Sequence, residues 1–581
     1  MEENKNKEVE VLKEETTSPV VEEKKEDKNK NKNSVILIFS VLGGLVFMLL
    51  IIASVIFLIP FLNGKKTVTK VGNDAQEVKS EYRMSGNSLE KFDLSFLKLE
   101  NNGKNKIYSP LSIKYALAML SDGSEGTTKN QITAIIGDYQ SKKYTNSDHM
   151  SFANAMFIRN TFKDAVDKDY KTTLANKYNA DLILDDFSSA ANMNKWVSDK
   201  TFGLIGDLFD DGTVSKEDFE LVNALAIDMN WNNQIQCATG SKVPCKKYSV
   251  YYRHEKYKTE GTYSKTISTI TGEDAFYPLT FNGKENIKSA EIAASFNRYD
   301  VVKEVGEKKI REEVGAAYKA WLETPEGKNN SPSEWFPSDV NKFLDRYIEE
   351  INKNYNKEAK STDFMLYTDE NVKVFAKNLK EYDGTTLQYV GIMPIKEDLG
   401  TYVDNVTAED LNKIIGNLKE MKKENFKDGV VTLIRGRIPM FKYESTLDLM
   451  EDLKKLGVTD VFDSSKADLS RMLKNAEGEY ISSASHKATI EFSNDGIKAA
   501  AATAMGGKGA TSGGFDYFFK IPVEEIDLTI DKPFMYIIRD KDSGEVWFMG
   551  TVYEGQERSV AKNPYGWYNQ EYTKTAWDNY Q

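Results

Sequence analysis

One run of residues constrains this chain more than any other: VILIFSVLGGLVFMLLIIASVIFLIPFL, from Val35 to Leu62, carries no charge. About 20 apolar residues span the ~30 Å hydrocarbon core of a bilayer, so the run can cross one with tilt to spare. It is longer than the apolar region of a typical cleaved leader, and no small-x-small site followed by a polar start is evident. A transmembrane helix over 35–62 is therefore expected. Residues 1–33 are dominated by Glu, Lys, Asn and Asp and hold no aromatic residue. Such a segment cannot bury enough apolar surface to offset its ordering entropy, and it reads as a disordered tail. Lys24, Lys25, Lys28, Lys30 and Lys32 precede the run, against Lys65, Lys66 and Lys70 after it. The positive-inside rule then puts the N-terminus in the cytoplasm and everything past Lys66 outside the cell, with 63–85 as a short linker.

The remainder is a folding sequence. Of the 581 residues, 40% are hydrophobic and 11% aromatic, enough for a sizeable core. The 77 basic and 89 acidic side chains leave a net charge of −12 with no basic block in the folded part, which argues against nucleic acid as a partner. Two cysteines exclude a disulfide framework and a Cys-rich zinc fold. Three histidines (His149, His254, His486) leave little for a metal site, so neither metal nor cofactor is expected.

Periodicity gives the fold class. SLEKFDLSFLKL (Ser88–Leu99) and SIKYALAML (Ser112–Leu120) place apolar residues at helical spacing. FANAMFIRN (Phe152–Asn160) and VVTLIRGRIPMF (Val430–Phe441) read as strands. Met535–Asp540 and Glu545–Tyr553 read as two arms of a hairpin turning at Asp542–Gly544. Helices early and strands late predict an α+β fold rather than repeated βαβ units.

Four segments, in order, carry a resemblance. They are IYSPLSIKYALAML (Ile107–Leu120), then NKWVSDKTFGLIGDLF (Asn194–Phe209) with LVNALAIDMNW (Leu221–Trp231), then RIPMFKYESTLDLMEDLKKLGVTDVFDSSKADLS (Arg437–Ser470), and finally SHKATIEFSNDGIKAAAATAM (Ser485–Met505) with IDKPFMYIIRD and VWFMGTV (Ile530–Val552). The chain resembles a serpin over 86–555. The resemblance implies three β-sheets with surrounding helices and an exposed reactive loop near the C-terminus. It also implies that the chain is a monomeric inhibitor rather than an enzyme, with a serine or cysteine protease as its partner. In that mechanism the protease cleaves the loop and is held as an acyl-enzyme while the loop inserts into the central sheet. No catalytic group is required of the inhibitor.

The loop itself has a physical reading. Polyalanine favours helix, but Gly496 stands at the entrance of GIKAAAATAM and GGKGATSGG (Gly506–Gly514) at its exit. As a strand, Ile497, Ala499, Ala501, Thr503 and Met505 would face one side, and Lys498, Ala500, Ala502 and Ala504 the other. Small residues with the one charge on one side suit entry between two existing strands. The family's Glu-Gly-Thr-Glu opening is Asp495-Gly496-Ile497-Lys498 here; Ile497 is uncharged and bulkier than Thr, which predicts slower entry. Counting forward from Gly496 as the family does puts the scissile bond at Ala510–Thr511. Counting back from Lys532-Pro533-Phe534 puts it near Pro522–Val523, so the loop is longer than usual. The forward count is favoured, because a longer tether weakens the pull.

Ser109, Ser112, Asn223 and His486 could pass for a hydrolase site. No carboxylate is set by a recognisable motif to orient the imidazole, and no G-x-S-x-G elbow occurs. In the serpin pattern these four match the hydrogen-bonded cluster beneath the central sheet where its strands part, and Trp231 matches the tryptophan where the loop first enters. Between Trp231 and Phe364 the chain is much longer than the family pattern needs, so residues 235–360 are expected to contain an insertion. That stretch could form a subdomain of its own and a second binding surface. It holds Cys237 and Cys245, whose bonding outside the membrane would contribute about 2–3 kcal/mol, with two free thiols as the alternative. Residues 556–581 form a polar tail with Tyr and Trp. The competing function is a non-inhibitory serpin-fold binding protein that uses the insertion as its interaction surface.

Overall fold

The computed structural model describes residues 89–137, 139, 144–233, 235, 247–252, 266–271, 277–355, 363–493, 496–497, 515, 517, 519 and 522–558. The apolar run with its flanks, Cys237 and Cys245, Lys498 to Thr503, Ala510 and Thr511, and the tail from 559 lie outside the described residues. Among the described residues no helix is long and apolar enough to cross a membrane.

The first part of the chain is helix-rich. It runs α1 (Lys91–Leu99), β1 (Lys106–Tyr108), α2 (Pro110–Asp122), α3 (Gly126–Ile136), β2 (Met150–Arg159), α4 (Lys168–Tyr178), β3 (Ala180–Asp185), α5 (Ala191–Lys200), α6 (Asp211–Val214), β4 (Phe219–Ile227) and β5 (Met229–Asn230). The middle holds β6 (Lys247–Tyr252), β7 (Thr266–Thr271), β8 (Tyr277–Phe281), β9 (Lys284–Asn297) and four helices, α7 (Val301–Val305), α8 (Glu307–Leu322), α9 (Pro325–Asn330) and α10 (Val340–Tyr355). Then follow β10 (Phe364–Thr368), β11 (Val372–Asn378), β12 (Leu387–Pro394), α11 (Leu399–Asn405), α12 (Ala408–Gly416), β13 (Lys419–Glu420), β14 (Val431–Pro439), β15 (Phe441–Asp448) and α13 (Leu449–Lys455). The last elements are β16 (Ser485–Phe492), β17 (Gly496–Ile497), β18 (Val523–Asp527), β19 (Phe534–Asp540) and β20 (Val546–Val552).

The main core is built on a seven-stranded sheet in the order β1-β20-β19-β12-β11-β10-β13. Every residue of β12 and of β20 is buried, as expected of strands covered on both faces. Helices α1 and α2 pack on β20. Ser109 caps α2 by accepting the Ser112 N–H at 3.0 Å, with Pro110 at the first helical position. Between the two helices lies a fully buried ion pair, Lys114 Nζ to Asp93 Oδ1 at 2.6 Å. Burial pushes the Asp93 carboxyl up, against the opposing pull of Lys114.

A four-stranded sheet follows the order β18-β14-β9-β8. Its β8–β9 hairpin turns through Asn282 and Gly283, at φ 48° and 76°, the left-handed pair that a two-residue turn demands. These strands lie within the stretch 235–360 that is expected to contain an insertion. β9 pairs with β14 from Ser289 to Asn297, so two strands of a shared sheet interrupt the stretch. On one side of them is the β6–β7 hairpin; on the other are α7 to α10, which have a small core of their own around Ile310, Val314, Tyr318, Phe343 and Leu344. The helical stretch from Val301 to Leu322 is broken into α7 and α8 at Gly306, at φ 87°.

The expectation of three sheets also needs correction. In place of a third continuous sheet there are two pieces, β3-β2-β4 and β15-β16, with the short β17–β5 pairing beside them.

Candidate functional site

Among the described residues β4 pairs with β2 alone and β16 with β15 alone. Each therefore presents a strand edge with an unused row of backbone donors and acceptors. Two cavities, of about 80 and 60 Å³, lie between these edges. Leu225, Ala226 and Ile227 of β4 and Ala488, Thr489 and Ile490 of β16 line the larger, together with Ile538 and Phe548 of the seven-stranded sheet. Thr201, Leu204 and Ile205, just after α5, also border it. That loop is tied to β16 by an ion pair, Lys487 Nζ to Asp207 Oδ1 at 2.7 Å, with Glu444 Oε1 at 3.4 Å from the same ammonium.

The smaller cavity gathers the four polar residues that the sequence singled out, since Ser109, Ser112, Asn223 and His486 all line it. Ser112 Oγ donates to Asn223 Oδ1, and Asn223 Nδ2 donates to Asn154 Oδ1 at 2.6 Å. Asn154 Nδ2 then donates to the Tyr178 carbonyl at 2.9 Å. On the other side, His486 Nε2 accepts the Ser109 backbone N–H at 2.9 Å. Burial lowers the His486 pKa to about 4, so the ring is neutral at physiological pH. With Nε2 engaged by a backbone N–H and the Ser112 hydroxyl by an amide, the cluster lacks the nucleophile-to-base hydrogen bond of a hydrolase. It is instead a polar clip joining α2, β2, β4 and β16 across the gap. Glu220 borders the same cavity, and burial, with a smaller push from Glu217, raises its carboxyl to about 8.

At the end of the gap the loop begins. Gly496 and Ile497 form β17, which pairs antiparallel with β5 in the register Gly496↔Asn230 and Ile497↔Met229. The chain that leaves β16 thus turns back and meets the strand following β4, on the far side of the gap. Trp231 stands beside this junction, nearly fully buried. Its indole N–H donates to the Ser493 carbonyl at 2.9 Å, and its ring lies 5.5 Å from that of Phe492 and 6.1 Å from that of Tyr389. An extended segment continuing from Ile497 in this direction would run between β4 and β16 and meet hydrogen-bonding edges on both sides.

Sequence reasoning missed Asn154, Asp207, Lys487 and Glu220. Asn154 left a signal, a lone amide inside the apolar strand FANAMFIR, and buried amides need partners. Asp207 left none, because its partner is far away in sequence.

Residues 91–242 and 356–555 match the family described as Serpin (serine protease inhibitor), and 243–355 fall outside the match. The chain is similar to mouse neuroserpin, with 24% identity over 476 residues covering 77% of this chain and 86% of that protein. It is similar to human leukocyte elastase inhibitor at 25% identity over 491 residues, covering 81% of this chain and 98% of the relative. Among solved structures, the native state of the thermophilic serpin tengpin aligns with a TM-score of 0.49 and 20% identity, over 84% of this chain and 96% of that one. Two strand edges held apart, a loop that begins to pair across them, and a family match over most of the folded part lead to one conclusion: this chain belongs to the serpin family, a family described as serine protease inhibitors rather than enzymes.

Proposed function

We propose that this chain traps serine or cysteine endopeptidases as a suicide substrate, acting as a monomer. The observation that carries this reading is the antiparallel start of β17 on β5, at the mouth of the gap between β4 and β16. In the proposed cycle the protease nucleophile attacks the carbonyl carbon before the scissile bond, Ala510–Thr511. The amine side leaves as a new N-terminus, and the acyl-enzyme ester or thioester remains. Severed there, residues from Lys498 onward follow Gly496 and Ile497 into the gap and carry the bound protease along. The polar clip of Ser109, Ser112, Asn223 and His486 opens as the strands part, and Trp231 guards the entrance. A small residue at Ala510 suits a protease with a shallow specificity pocket, which agrees with the inhibitory target in the human relative's name.

The uncharged run Val35–Leu62 supports the further proposal that the inhibitor is anchored in the cell membrane with its folded part outside. Residues 243–355, which the family match omits, support an addition interrupted by β8 and β9. A second reading, a binding protein that uses this addition, draws on Trp335, which is 67% exposed with the Arg346 guanidinium over its ring at 5.3 Å. A denaturing gel after incubation with elastase-type, trypsin-type and papain-type proteases separates the two. The inhibitor yields an SDS-stable adduct with at least one of them, whereas the binding protein is cut, or left intact, without any adduct.

A further inference from the structure

Beyond the alanine- and glycine-rich stretch the sequence reads FDYFF (Phe515–Phe519), and positions 515, 517 and 519 share one side of an extended chain. All three pack against the small core of α7 to α10, which is separate from the main core. Inside that core the rings of Tyr318 and Phe343 stack at 3.7 Å. Phe515 meets Tyr318 edge-on at 5.1 Å and Phe343 at 5.4 Å, with Trp321 at 5.9 Å. Tyr517 is held at both ends. Its carbonyl accepts the Tyr347 hydroxyl at 2.8 Å, and its own hydroxyl donates to Glu313 Oε2 at 3.1 Å. Lys309 approaches the same carboxylate at 3.7 Å, and Phe519 lies 5.2 Å from the Tyr517 ring.

We propose that the helical unit 301–355 is a clasp for the far arm of the reactive loop: it holds Phe515, Tyr517 and Phe519 out of reach of a protease and confines cleavage to the residues ahead of Phe515. A peptidase binds several consecutive residues on both sides of the bond it cuts as an extended strand. Residues whose rings fill a helical core, and whose backbone a tyrosine holds, must first be released before they can adopt that pose. The clasp therefore removes the backward count, Pro522–Val523, as a cleavage point and leaves the forward count, Ala510–Thr511, in the free span. It also shortens the effective loop, which offsets the extra residues that the sequence shows. This inference rests on the inhibitor reading only for the identity of the segment as protease bait.

The test is limited digestion of the full chain with chymotrypsin, which cuts after Phe and Tyr, with each cut located and timed by mass spectrometry. The parent is compared with the double variant Tyr347→Phe, Glu313→Ala, which keeps the rings but removes both hydrogen bonds, and with Tyr318→Ala, which removes the ring that Phe515 meets. The clasp predicts slow cuts after Tyr517 and Phe519 in the parent and about a tenfold acceleration in the double variant, since cleavage tracks the population of the released arm. A larger acceleration is expected for Tyr318→Ala. Equal rates in the parent and both variants overturn the proposal. Adduct formation, followed in parallel with elastase-type, trypsin-type and papain-type proteases, reports on the inhibitor reading alone. Protection without an adduct sinks that reading and leaves the clasp standing, and an adduct without protection does the reverse.

Discussion

In the seven-stranded sheet β19 has β20 on one side and β12 on the other, and its rows of donors and acceptors are spent. Across the larger cavity, which Ile538 and Phe548 help to line, β4 and β16 face each other with their inner edges unspent among the described residues. Composition does not explain the contrast, since both layers are rich in Val, Ile, Leu and Phe. The closed sheet has reached its best pairing, while the split layer withholds hydrogen bonds and packing that one more strand would supply. Stability is thus held back in one region and fully realised in another.

The sharpest way to break the closed half is Lys114→Ala. It strands Asp93 as an unpaired buried carboxylate, and a loss of about 3–5 kcal/mol is expected, read by urea unfolding. The loss should be similar before and after the loop is cut, because the pair lies under the closed sheet. On the split half, a synthetic peptide with the sequence of residues 496–508 should do the opposite and fill the gap. At a hundred times its dissociation constant it would stabilise the intact chain by about 2.7 kcal/mol, visible as a rise in melting temperature and a matching loss of adduct formation. If the peptide leaves both unchanged, the gap is not a strand site.

Two groups bordering the gap give pH dependences of opposite sign. Glu220 binds its proton more tightly folded than unfolded, so its contribution to stability is full below about pH 4.5 and is lost as pH rises towards 8. His486 binds its proton less tightly when folded, so stability is lost as pH falls from about 6.5 towards 4. Melting curves of Glu220→Gln should flatten the slope between pH 7 and 8, and those of His486→Gln the slope below 6.5. The smallest effect belongs to Asp207→Asn, which frees the loop after α5 from Lys487 across the gap. A slight fall in melting temperature and faster loop insertion in stopped-flow fluorescence are expected, both fading at high salt.

Local patterns in the sequence led to several of these elements. The alanine- and leucine-rich spacing of Ser112–Leu120 fell inside α2, the alternation in Phe152–Asn160 on β2 as far as Arg159, and the C-terminal hairpin on β19 and β20. The cluster of Ser109, Ser112, Asn223 and His486 was legible through family motifs, and the side chains do converge on one cavity. What failed to show was non-local. Asn282–Gly283, a strong hairpin signal, sat unread inside the stretch expected to contain an insertion, because only the distant β14 reveals which sheet the hairpin joins. The partnership of Asp207 with Lys487 spans 280 positions and follows no spacing rule. Nor does any periodicity say that β4 and β16, both good strands, stand side by side without pairing. That is a property of the whole fold.

The most direct test of the split layer is to cut the loop between Lys498 and Phe515 with a protease that forms no adduct, and to compare melting temperatures of the intact and nicked chains. If the freed segment becomes the strand between β4 and β16, it gains a ladder on both sides at roughly 1 kcal/mol per hydrogen bond, and the nicked chain should melt on the order of 10 °C or more above the intact one. Identical melting of the two forms would contradict the account.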